Sequence, residues 1–235
     1  MTLTQRADLT YKANSKAGRH GWLRLTPAYS INLVYSELEK LPPKSHIIEP
    51  FSGSGTTPLA ASELGMTCEA REINPFLVWF GNAKLANYSE EDVNNTLRVA
   101  SDIVRKASKS EGLDGLWVPP MFNINRWWDQ AALEALASVR HEVDAYSGKE
   151  RDLLDIAFCR LLISLSSAAF NHQSMSFKNQ ESLFEYDRET FLYNVRSFLE
   201  IVSDVTSRAL ADRVLGEAKV QHGDSTRPFD GFHKA

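Results

Sequence analysis

One stretch constrains this chain more than any other: Glu49-Pro50-Phe51-Ser52-Gly53-Ser54-Gly55-Thr56-Thr57. It follows the β-rich run His46-Ile47-Ile48 and precedes Pro58-Leu59-Ala60-Ala61-Ser62-Glu63-Leu64-Gly65. The latter reads as a helix with proline in its first turn and a glycine stop. A second strand, Met66-Thr67-Cys68-Glu69-Ala70-Arg71-Glu72-Ile73, comes next. Strand, small-residue loop, helix and strand at this spacing predict a parallel α/β sheet. Glycines at such a junction let the backbone turn tightly and let a ligand come close where a Cβ would clash. The helix start offers free N–H groups to an anion. The loop lacks the lysine of a phosphate-binding P-loop, which disfavours a nucleoside triphosphatase, and it lacks the three-glycine dinucleotide fingerprint.

Beyond the second strand the texture changes. From Tyr88 to Leu215 the pattern is helical, broken by an aromatic and proline-rich loop that ends in Asn123-Ile124-Asn125-Arg126-Trp127-Trp128. Trp127 and Trp128 read either as groups that stack on bases or as anchors for the helix that starts at Asp129. Asn171–Lys178 is a polar stretch, read as a loop. Strand texture returns at Ala218-Lys219-Val220-Gln221-His222. The organisation expected is an N-terminal arm and α/β part (1–87), a helical insertion (88–215) and a returning strand (216–235).

Composition narrows the classes. The chain of 235 residues is 43% hydrophobic and 24% charged, near globular averages. No apolar run is long enough for a membrane span, and the N-terminus lacks a signal-peptide stretch. Cys68 and Cys159 show no ligand spacing, which fits a reducing cytoplasm and speaks against zinc. No histidine cluster suggests another metal. The net charge of −4 argues against a strongly basic nucleic-acid binder. Yet Arg6, Lys12, Lys16, Arg19 and Arg24 oppose only Asp8 near the N-terminus. Such an arm can meet phosphates, or it can be a solvated extension.

The glycine loop resembles the first motif of S-adenosylmethionine-dependent amino-methyltransferases acting on DNA, Asp-Pro-Phe-x-Gly-x-Gly-Thr. Pro50, Phe51, Gly53, Gly55 and Thr56 match, and Glu49 stands for the aspartate. The resemblance implies a Rossmann-like methyltransferase sheet and S-adenosylmethionine as cofactor, with Phe51 walling its site and the glycines lying under its methionine part. Glu72, which ends the second strand, takes the place of the acid that accepts hydrogen bonds from ribose hydroxyls. Arg19-His20-Gly21-Trp22-Leu23-Arg24-Leu25-Thr26-Pro27-Ala28-Tyr29 is similar to the family's tenth motif. Thr26 would supply a hydroxyl there and Pro27 would start a helix with Ile31, Val34 and Leu38 on one face. Gly223-Asp224 resembles a later strand end, with Asp224 near the adenine amino group. Arg19, Arg24, Arg126 and Lys178 are the candidate DNA contacts.

The family's catalytic tetrapeptide, Ser/Asp/Asn-Pro-Pro-Tyr/Phe, has no counterpart here. The Pro-Pro pairs at Pro42-Pro43 and Pro119-Pro120 lack both the polar first residue and the aromatic last one. The sheet is therefore expected to be incomplete in this chain and no catalytic residue is assigned. The resemblance implies methyl transfer to an exocyclic amino group of DNA, with cytosine N4 favoured over adenine N6. A second methyltransferase subunit would supply the catalytic motif. An RNA amino-methyltransferase, a non-catalytic cofactor- or DNA-binding subunit and a truncated relic are the alternatives.

Overall fold

The computed structural model describes residues 13–25, 29–169, 176–177 and 186–227. In chain order its elements are helix α1 (Ile31–Leu38), strand β1 (His46–Glu49), α2 (Thr56–Glu63), β2 (Thr67–Glu72) and α3 (Pro75–Leu85). There follow α4 (Glu90–Ala107), α5 (Gln130–Val143), α6 (Gly148–Ser164), the short strands β3 (Ala168–Ala169) and β4 (Ser176–Phe177), α7 (Arg188–Ala211) and β5 (Ala218–His222). The chain forms two compact units, Met1–Ser89 with Arg208–Ala235, and Glu90–Ser207. The end of α7 belongs to the first.

In the first unit β1, β2 and β5 form a parallel sheet in that order, with β2 central. Ile48 lies opposite Glu69, and Ala70 opposite Val220. One face of the sheet builds the core. Cys68, Ala70 and Val220 pack with Leu59, Ala60 and Ala61 of α2, Leu85 of α3, and Val34 and Leu38 of α1. Each fully buried Leu or Val here contributes about 2 kcal/mol. The residues of the opposite face, Thr67, Glu69, Lys219 and Gln221, are polar, and Ile48 is the apolar exception.

Caps set the helix ends. Ser30 accepts the N–H of Asn32 and so starts α1, where the sequence suggested Pro27. Residues 26–28, Thr26 and Pro27 among them, lie outside the described residues. Ile31, Val34 and Leu38 form the buried face of α1. Asn74 caps α3, with Pro75 at its first position.

The second unit packs α4, α5 and α6 against one another. Phe191, Val195, Phe198, Val202 and Val205 of α7 are fully buried at helical spacing. Trp128 is buried and its indole N–H donates to the Leu162 carbonyl at 2.9 Å, while Asp129 caps α5 through the N–H of Ala132. Trp128 is therefore a core anchor, as the second reading of the pair had it. Helix α6 stops at Ser164, short of the apolar run that continues to Ala169, and Ala168–Ala169 pairs antiparallel with Ser176–Phe177. That pairing was not legible in a stretch read as loop.

Candidate functional site

The C-terminal ends of the three parallel strands meet at one edge of the first unit, where ligands sit in open α/β sheets. From β1 the chain enters the glycine loop. Four of its amide N–H groups are tied to something firm. The Ser52 N–H donates to the Arg71 carbonyl at 2.8 Å, and the Gly53 N–H to Oε2 of Glu72 at 2.8 Å. The Gly55 N–H donates to the Ser52 carbonyl at 3.0 Å. Glu49 turns back on the loop and accepts the Phe51 N–H at 2.9 Å.

The two glycines differ. Gly53 has φ +53° and nothing within 4 Å of where a Cβ would stand, so the space above it is open. Gly55 has φ +76°, and its Cβ would come 3.1 Å from Cα of Gly81 in α3. Its missing side chain makes room for a neighbouring helix rather than for a ligand. Thr56, buried, starts α2, and its hydroxyl lies 3.3 Å from that of Ser54. The Ser52 hydroxyl is buried and has no hydrogen-bond partner among the described residues.

Glu72 ends the central strand. One carboxylate oxygen accepts from Gly53 and the other from the Asn74 N–H at 2.9 Å. Each oxygen keeps a further lone pair. Beside it the apolar Ile73 is 67% exposed, and across the loop Phe51 is 71% exposed. Between the ends of β2 and β5 lies an open cavity of about 590 Å³, lined by Arg71, Ile73, Gln221, His222 and Asp224 among others. The Gly223 N–H donates to the Glu72 carbonyl at 3.0 Å, which sets the turn after β5 beside the acid. Asp224 turns its carboxylate onto the hydroxyl and N–H of Thr226, and these bonds lower its pKa. Arg71 steadies the same turn by donating to the carbonyls of Asp224 and Arg227.

The structure thus brings Glu49, Phe51, Gly53, Gly55, Thr56, Glu72 and Asp224 to one end of the sheet. Thr26 and Lys178 lie outside the described residues. Arg24 and Arg126 are exposed, one in each unit.

Arg19 corrects the expectation of a DNA contact. It is 2% exposed, and its guanidinium donates to the carbonyls of Lys84, Ala86 and Ala209. These carbonyls belong to the C-terminal ends of α3 and α7, which have no intrahelical donors. Arg19 also lies over the rings of Trp22 and Tyr88, and Asp212 accepts its backbone N–H. It knots the N-terminal segment into the core. A count of basic residues could not distinguish this from a solvated arm.

Three residues to which the sequence assigned no role shape the site. Tyr29 places its hydroxyl 3.0 Å from that of Thr57, against the start of α2. Burial raises its pKa, and Glu49 adds to the rise. Lys84 sits beneath the loop, and Asn82 of the same helix binds β5. A lysine in the last turn of a helix reads from sequence as a partner for the helix dipole, so neither carries a signal of its own.

No family model matches the chain, and no solved structure matches it. The type II methyltransferase M.BsoBI of Geobacillus stearothermophilus is 36% identical to it over 69 residues, which is 28% of this chain. The matched stretch spans 14% of that enzyme's length. The relationship is to a methyltransferase over that stretch. Among the described residues no group of His, Cys, Asp and Glu side chains could hold a metal, and no helix is long and apolar enough to cross a membrane.

Proposed function

We propose that the first unit is the S-adenosylmethionine-binding part of a methyltransferase that modifies an exocyclic amino group of DNA, with cytosine N4 favoured over adenine N6. The observation that carries the reading is Glu72. A carboxylate at the end of the central parallel strand is folded against a glycine loop, with open space above Gly53 and a cavity lined by its chain neighbours Arg71 and Ile73. The 36% identity to a type II methyltransferase supports the same chemistry.

The residues present fit that cofactor. Glu72 has lone pairs for ribose hydroxyls, Phe51 and Ile73 offer apolar surface for a planar base, and Asp224 can accept from an amino group. The orphaned Ser52 hydroxyl and the first turn of α2 supply hydrogen-bonding groups beside Gly53. When bound, the cofactor supplies an electrophilic methyl group. The chain's own part is to hold its donor in one orientation, which lowers the barrier by proximity. The acceptor base is the DNA's, and the groups that hold its amino nitrogen would come from a second polypeptide segment carrying the polar tetrapeptide that residues 1–235 lack. The open outer side of β1 is where its strand would join.

Calorimetric titration with S-adenosylmethionine tests this. Saturable binding by the wild-type chain, lost in Glu72→Ala with the fold intact by circular dichroism, is expected. Equal binding by the variant would remove the site from the end of β2. Glu72 is a better control than Gly55, because a side chain at Gly55 would crowd Gly81 of α3 and strain a left-handed backbone.

A further inference from the structure

We propose that Lys84 positions the glycine loop for its ligand: its Nζ, buried beneath Gly55, holds the Ser54 carbonyl. This rests on the cofactor reading above.

Lys84 is 1% exposed, and Nζ donates to the Ser54 carbonyl at 2.9 Å. Its stem passes 3.9 Å from where a Cβ on Gly55 would stand, and the ammonium lies 4.8 Å from the ring centre of Phe80. The Ser54–Gly55 peptide is thereby fixed at both ends, by Lys84 at its carbonyl and by the Ser52 carbonyl at its N–H. That peptide leads from the loop into the first turn of α2, so its orientation sets where the N–H groups of Thr56 and Thr57 point. The loop's other ties come from backbone groups, from carboxylates and from the hydroxyls of Tyr29 and Ser225. Lys84 is its cationic tie among the described residues.

A fully buried ammonium is unusual enough to need a reason. The acids that face it are Glu63 of α2 and Asp212 beyond α7, and both favour the charged form. His20 of the N-terminal segment also faces it, and burial and the Lys84 charge lower the histidine's pKa, while Arg19 bonds the Lys84 backbone carbonyl. Glu63 is itself shared, with His20 Nε2 at 3.3 Å and the Tyr35 hydroxyl on the same oxygen. Burial prevails and brings the Lys84 amine down to about 7. The anchor therefore carries its charge below neutral pH and loses it above, and the hydrogen bond to Ser54 is strongest when charged.

The test compares wild type, Lys84→Met and Lys84→Arg. Methionine keeps the length of the stem and removes a buried charge, so folding is expected to survive. Amide NMR spectra come first, without ligand. The Gly55 cross-peak should titrate near pH 7 in the wild type and stay fixed in Lys84→Met. Affinity for S-adenosylhomocysteine is then read as the variant-to-wild-type ratio, because the ligand's own amino group titrates in this range. Lys84→Met should bind about tenfold more weakly at about pH 6, the ratio should shrink by about pH 8.5, and Lys84→Arg should lie between. A Gly55 amide that does not titrate, or equal affinities at both pH values, would overturn the proposal while leaving the cofactor site intact. A wild-type chain that titrates yet binds no S-adenosylhomocysteine would instead overturn the cofactor reading, and the positioning role with it.

Discussion

The sheet of the first unit has two outer edges, and they are treated differently. At β5 the side-chain amide of Asn82 takes both free backbone groups of Val220. Its Nδ2 donates to the carbonyl at 2.8 Å and its Oδ1 accepts the N–H at 3.1 Å. Helix α3 thus closes that edge as a further strand would. At β1 the described residues supply no strand on the outer side, and Ile48 stands 51% exposed. Parallel sheets are normally covered on both faces, and an apolar edge invites pairing. The difference teaches where this sheet can grow. Among the described residues the outer groups of Val220 in β5 are taken by α3, whereas β1, next to the glycine loop, has no strand on its outer side. In doubly wound folds the strand beside the first one marks the switch point at which ligands bind.

Breaking the closed edge should have the largest effect. Asn82→Leu leaves the N–H and carbonyl of Val220 without partners. It should cost about 2–6 kcal/mol, at about 1–3 for each unpaired group. Urea unfolding measures this, and size-exclusion chromatography should show new self-association through β5.

The next effect tests the second device on α3. The Lys84 amine titrates near 7 in the folded chain, below the 10.5 of a free lysine. Between those values the unfolded chain holds a proton that the folded chain has released, so stability rises as the pH climbs from about 7 to about 10.5. Below about 7 the penalty is present in full. The gain should be on the order of a few kcal/mol, and it should vanish in Lys84→Met. Denaturant midpoints across that pH range check it.

The smallest effect on stability belongs to the open edge. Ile48→Lys puts a charge on an exposed position and should change unfolding by no more than about 0.5 kcal/mol. It should nevertheless suppress association at high concentration, by light scattering, and block completion by a partner strand. A large loss of stability would mean that Ile48 is held within the chain and that the edge is not open.

Much of this sheet was legible in the sequence. His46-Ile47-Ile48, Thr67–Glu72 and Ala218–His222 are strands, and the glycine loop lies between the first strand and its helix. These are local patterns, set by β-propensity, small residues and the alternation of strand and helix. What stayed hidden depends on partners far along the chain. Arg19 reads as one cation of a basic arm until α3 and α7 present their terminal carbonyls to it. Asn82 and Lys84 read as ordinary positions of a helix until β5 and the glycine loop pack against them. The role of Gly55 was half legible: its backbone conformation follows from the motif, but Gly81 as the neighbour that excludes a Cβ does not.

The central claim is that cofactor binds at the strand ends of the first unit. Amide chemical-shift mapping of the labelled chain during titration with S-adenosylhomocysteine tests it most directly. The account predicts saturable shifts clustered at Gly53, Gly55, Glu72, Ile73 and Gly223. Shifts confined to the helical unit, or no shifts at saturating ligand, would contradict it.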